Sequence, residues 1–118
     1  MPRDPTLRVK DILDALTRIQ DACHGQDRGS FCSDMLRVRA VAFDFVVIGE
    51  ASSQVPPDVQ ALRPDIPWSV MRGMRNRLAH EYFALSAEVL WETAIRDVPP
   101  LLGAVRGLLL TLERSPLG

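Results

Sequence analysis

The residues in this sequence best suited to do chemistry lie in one stretch, Met71-Arg72-Gly73-Met74-Arg75-Asn76-Arg77-Leu78-Ala79-His80-Glu81-Tyr82-Phe83. Arginine offers a planar fork of donors that stays charged, and histidine, with an ordinary pKa near ~6.5, can give or take a proton. Together they suit work on phosphate esters, and neither needs a metal for it. On a helix turning about 100° per residue, Asn76 and His80 share a face, while Arg75 lies about 140° round the axis from His80. One unbroken helix does not aim both groups at one spot. Either the helix ends near His80 so that Arg75 folds back toward it, or a second copy of the chain completes the site across a symmetric contact; the reading here combines the two. Spacing alone also fits a structural role, in which Arg72, Arg75 and Arg77 form the solvated side of an amphipathic helix and Val70, Met71, Met74, Leu78 and Ala79 its buried side.

These residues need a scaffold, and 118 residues fit one domain (1–118), long enough for a core of its own and small enough to gain from pairing. Hydrophobic residues make up 47% and charged ones 25%, the balance of a globular protein. A formal net charge of −1 excludes a polyelectrolyte, so any nucleic-acid site must be a local basic patch. Cys23 and Cys32 are too few for a disulfide framework, and with His24 they fall one ligand short of a structural zinc site. With no secretory leader or long apolar span, the chain is expected to be cytoplasmic and free of the membrane.

The periodicity predicts helices throughout. Asp4-Pro5 opens the first, with Asp as N-cap and Pro where its missing N–H costs nothing, and Val9, Ile12, Leu13, Leu16, Ile19 and Cys23 form its apolar stripe. Asp11, Asp14, Arg18 and Asp21 fall on its solvated face. His24 to Ser30 reads as a turn, with His24 in a structural role at the helix end. A long second helix is expected from Phe31 to about Ser53, with Phe31, Met35, Val38, Val41, Phe45 and Ile48 inward. Ala40 to Ile48 resembles a strand in composition, but no neighbouring segment can pair with it. Phe43, Val46 and Val47 make it apolar round most of its circumference, which suits a helix that is central in its fold or buried by a partner, here in part a dimer surface.

Pro56-Pro57 ends that helix. Asp58 to Arg63 reads as a short helical turn, and Pro67-Trp68 opens the helix carrying the motif, with Trp68 an anchor of the core. Ser86 caps a fourth long helix, Ala87 to about Val98, with Val89, Leu90, Thr93 and Ala94 inward and Trp91 a packing or interface residue. Pro99-Pro100 starts the last, where Leu101, Leu102, Val105, Leu108, Leu109 and Leu112 are buried and Gly103 and Gly107 permit close approach. The expected architecture is an all-α bundle of four to five helices, paired about a two-fold axis.

Arg75, four residues, His80, one residue, Tyr82, set in Arg-Asn-Arg-Leu-Ala-His-Glu-Tyr, resembles the signature of HEPN-domain toxins of the HepT type, the ribonuclease half of HepT/MntA toxin–antitoxin pairs. The likeness extends in order along the chain: Asp11-Ile12-Leu13-Asp14-Ala15 with Arg18-Ile19, Phe31 with Asp34, Ala40-Val41, Ile48-Gly49-Glu50-Ala51, Pro64-Asp65-Ile66-Pro67-Trp68, Met74, Val89-Leu90-Trp91 and Asp97-Val98-Pro99. The triplet alone is short, but the collinear set is specific. The sequence departs from the family at Phe43 and Val46, where polar or basic residues are common; that bears on how RNA or the antitoxin is held and leaves the motif untouched.

The resemblance implies a HEPN bundle whose two copies set their motifs face to face in one cleft, and an endoribonuclease that needs no cofactor or metal. Arg75 and His80 would be catalytic, with Asn76, Arg72 and Arg77 in support. It also implies a small MntA-like nucleotidyltransferase antitoxin that transfers AMP from ATP onto Tyr82. Two other readings stay open at this level: a non-catalytic helical subunit of a nucleotidyltransferase complex, whose Arg/His cluster holds a nucleotide or RNA, and a HEPN fold without activity that serves as a dimerisation module.

Overall fold

The computed structural model describes residues 4–80 and 86–114, the side chains of residues 75–80 excepted. The described residues form helices and no strand: α1 (Pro5–Cys23), α2 (Arg28–Ser33), α3 (Met35–Ser53), α4 (Pro57–Gln60), α5 (Trp68–His80), α6 (Ala87–Arg96) and α7 (Val98–Arg114). Five of these have ten residues or more, in line with the bundle expected from periodicity; α2 and α4 are short additions.

α1 starts where its sequence says, with the Asp4 carboxylate accepting from the Thr6 N–H at 2.8 Å and Pro5 in the first turn. A cap of this kind stabilises by about 1 kcal/mol. Val9, Ile12, Ala15, Leu16 and Ile19 are fully buried. His24 caps the far end through its backbone, its N–H donating to the Gln20 carbonyl at 3.0 Å, with the ring exposed. Gly25 then takes φ +74°, a left-handed turn that a side chain would strain.

The expected second helix is two helices. Arg28, Gly29 and Ser30 are not a turn but the start of α2, held by a reciprocal cap: Asp27 Oδ1 accepts from the Ser30 N–H at 2.8 Å, and the Asp27 N–H donates to Ser30 Oγ at 3.0 Å. The break falls at Asp34, in extended backbone with φ −98° and ψ 92°. Its carboxylate accepts from the N–H and the Nε of Arg37, each at 3.2 Å, an alternative to a continuous helical ladder that aspartate offers readily. The break leaves Phe31 buried, seated against Trp91 at 5.3 Å between ring centroids, but turns Met35 outward to 56% exposure, against the periodicity.

α3 lies between α1 and α5, while α1 also packs on α7, and α6 packs on α1, α3, α7 and α2. α1 and α3 run antiparallel. Arg37 Nη1 donates to the Ala22 carbonyl at 2.7 Å, Arg18 Nε to Asp44 Oδ1 at 2.9 Å, and Arg8 and Asp11 line the same surface hollow as Val47 and Ala51. Asp44 is buried, so Arg18 is more than a member of a solvated face: it neutralises a carboxylate that would otherwise be costly to bury. Val38, Val41, Phe45, Ile48 and Ala51 supply the central packing, with roughly 1.5–3 kcal/mol gained for each large side chain fully buried. The central position accounts for much of α3's apolar circumference. Phe43 nevertheless stays 66% exposed, and Val46 and Val47 are half-buried.

Smaller differences follow from the same packing. The short turn is α4, beginning at Pro57 rather than Asp58 and ending at Gln60. Val98 opens α7 instead of closing the helix before it, because Asp97 ends α6 and Pro99 and Pro100 then occupy α7's first turn, where no N–H is needed. Val89 and Val70 are exposed, not inward. No described helix is long and apolar enough to cross a membrane.

Candidate active site

The motif is carried by α5, which is helical without interruption from Trp68 to His80. Its start is set by the segment before it. The Trp68 indole N–H donates to the Arg63 carbonyl at 3.0 Å, the Ile66 N–H donates to the same carbonyl at 3.1 Å, and Trp68 itself is buried, as its role as a core anchor required. Ile66 and Met71 are buried beside it, and α5 lies against α3.

Arg75, Asn76, Arg77 and His80 are placed by their backbone alone, since their side chains lie outside the described residues, as does the whole of Tyr82. The helical register is nonetheless informative. Position 75 falls in the arc of Trp68 and Met71, about 20° from the first and 40° from the second, whereas positions 76 and 80 fall in the arc of exposed Ser69 and Gly73. Continuity of the helix keeps positions 75 and 80 about 140° apart.

Arg72 does point to solvent. It is exposed, and Nη1 donates to Gln60 Oε1 at 3.2 Å, while Gln60 Nε2 donates in turn to the Val55 carbonyl at 2.9 Å. A neutral amide orients this guanidinium without neutralising it. Five other arginines are held in ion pairs: Arg18 with Asp44, Arg28 with Glu92, Arg37 with Asp34, Arg63 with Asp65 and Arg96 with Asp97. Arg72 therefore remains a cation available to an anion one turn ahead of Asn76.

The two cysteines, Cys23 and Cys32, are free thiols. Burial pushes the Cys23 thiol up, and desolvation together with the Glu88 charge does the same for Cys32, which disfavours the reactive thiolate at both. Asp65 is the opposite case. Hydrogen bonds from Arg63 hold its carboxyl below the usual carboxylate range, and Asp65 raises Arg63 in return. Any stability from that pairing is complete above the ordinary carboxylate pKa and is lost only as pH falls through the lowered value.

The comparison that decides the family is a match of residues 12–108 to the model described as Ribonuclease HepT-like. The chain belongs to the HepT-like ribonuclease family. A protein of Thermococcus cleftensis named "Probable ribonuclease HepT" is 37% identical over 95 residues, covering 80% of this chain and 86% of its own. Proteins named "Putative RNase" from Caldanaerobacter subterraneus and Methanocaldococcus jannaschii are 28% and 30% identical, over 91% and 96% of this chain and 96% and 94% of theirs. No solved structure matches the chain significantly.

The HepT-like assignment agrees with the resemblance read from the motif and the all-helical bundle. Sequence reasoning missed Gln60, which orients Arg72, and Arg63, which organises the entry to α5. The first leaves no signal that spacing reveals. The second leaves one trace, an arginine two residues before Asp65 in a proline-flanked loop.

Proposed function

We propose that the chain is a metal-independent endoribonuclease, the toxin of a HepT/MntA-type pair, acting as a two-fold dimer in which the two copies of α5 share one cleft. The observation that carries the reading is the Arg75-x4-His80 motif on a continuous helix within a chain matched to the HepT-like family over residues 12–108. A split of about 140° between the two positions is a defect within one helix, but not where two helices meet across an axis.

In the proposed reaction the ribose 2′-hydroxyl attacks the adjacent phosphorus, the P–O bond to the 5′-oxygen breaks, and a 2′,3′-cyclic phosphate and a 5′-hydroxyl result. One His80 takes the proton from the 2′-hydroxyl as the other gives a proton to the departing 5′-oxygen. Arg75 from each copy holds the phosphate and stabilises the charge on the pentacoordinate phosphorus. Asn76 fixes the imidazole tautomer or holds a phosphate oxygen, while Arg72 and Arg77 bind flanking phosphates. DNA, without a 2′-hydroxyl, is not cut. AMP added to Tyr82 by an MntA-like nucleotidyltransferase would place charge and bulk where the RNA phosphate must sit.

Purified protein incubated with RNA in EDTA is expected to yield fragments ending in cyclic phosphate, and to leave the same sequence in DNA intact. Binding without cleavage would favour the non-catalytic subunit instead. The dimer is tested separately: sedimentation at micromolar concentration should give twice the 13.2 kDa chain mass, and a monomer would count against a shared cleft.

A further inference from the structure

We propose that Arg63 is a positioning residue for the motif helix, fixing where α5 starts and so where residues 75 and 80 stand during catalysis; the catalytic half of this rests on the ribonuclease reading. α5 packs along α3, but toward α7 it faces an open groove of about 290 Å³ lined by residues that include Ile66, Val70, Met74, Pro100 and Leu101. A groove supplies no layer of interdigitated side chains to hold the start of α5 against α7.

Arg63 spans that gap. Its Nη1 donates to the Ala104 carbonyl in α7 at 3.2 Å, and its Nε and Nη2 donate to Asp65 at 2.9 and 2.7 Å. Its own carbonyl accepts from the Trp68 indole and the Ile66 N–H. One residue thus ties α7, the proline-flanked loop and the first side chain of α5 together. The geometry needs an arginine, because a planar fork serves Asp65 with two nitrogens while the third reaches α7, which a lysine ammonium does not reproduce. The fork also lies close to Gly107: a Cβ there would come within 2.8 Å of Nη1, so Gly107→Ala would push the tip of the guanidinium off its place. Gly103, by contrast, faces open space and is not needed for close approach.

The leverage is simple. α5 has 13 residues and so spans roughly 18 Å between its ends, and a tilt of about 3° at its start displaces its far end by about 1 Å. Errors of about 1 Å in a catalytic constellation cost up to ~10²-fold in rate. Gln60, on the other side of the loop, bonds exposed Arg72 and does not replace this tie to α7.

The test compares Arg63→Ala, Gly107→Ala and the double variant in a Trp91→Phe background, where Trp68 is the remaining tryptophan and reports on the start of α5. RNA cleavage is measured well below each melting midpoint. Arg63→Ala and Gly107→Ala should each lower kcat by about 10-fold, with KM within about 2-fold, and shift Trp68 emission. Adding Gly107→Ala to Arg63→Ala should cost nothing further, since the clash is then gone. Unchanged kcat with only a lowered melting midpoint would overturn the proposal, and so would a Gly107→Ala loss that persists without Arg63. If Arg63→Ala does not fold, Gly107→Ala decides by the same kcat criterion. If the wild type cuts no RNA, the ribonuclease reading falls on its own, and Trp68 emission judges the tie: a shift in Gly107→Ala supports it, and an unchanged spectrum overturns it.

Discussion

Replacing His80 by Ala is expected to abolish RNA cleavage while helical content and melting stay close to wild type. Positioned proton transfer contributes ~10²–10⁴-fold, and in the proposed dimer a single substitution removes the acid and the base together, so the loss should reach the upper part of that range. A factor of ~10³ corresponds to about 4 kcal/mol of transition-state stabilisation. Arg75→Ala should fall in the same class, with a loss of ~10²–10³-fold, because it withdraws charge from the phosphorus at the moment charge develops. Position 75 lies in the arc of buried Met71, so its thermal midpoint must be measured alongside activity. Activity lost with stability intact supports catalysis. Equal loss of both would return Arg75 to a packing role.

The second large effect concerns Tyr82. Tyr82→Phe should keep much of the ribonuclease activity and yet resist silencing by an MntA-like nucleotidyltransferase with ATP. The proposed inactivation is attack of the phenol oxygen on the α-phosphorus of ATP, forming a phosphodiester and releasing pyrophosphate, with the phenolic proton passing to a base. Phe keeps the ring and removes the one atom that can accept AMP. Mass spectrometry of the wild type incubated with the antitoxin should therefore find AMP on the peptide containing Tyr82, and none on the variant. Tyr82 is the chain's single tyrosine, so assignment to a phenol is unambiguous. A Phe variant still modified and silenced would move the acceptor elsewhere, to the hydroxyls of Ser86 or Thr93 first. Inhibition without a mass change would point to an antitoxin that covers the cleft by contact.

The sequence by itself determined the helical bundle, because the apolar residues of α1 and α7 recur at helical spacing and the strand-like run in α3 has no neighbouring segment to pair with. It also marked the capping at Asp4 and Ser86, the anchoring by Trp68, and the motif whose family the comparisons share. These are local signals, set by a residue's neighbours within a turn or two. It did not show that Asp34 divides the long second helix, since a carboxylate that caps and one that is merely solvated look alike until the Arg37 and Ala22 contacts exist. Nor did it show Asp44 buried under Arg18, or Arg63 reaching past Asp65 to Ala104, 41 residues away. Those pairings depend on which helices become neighbours, and a side chain several ångströms long can find its partner only after the backbone has brought two distant segments together.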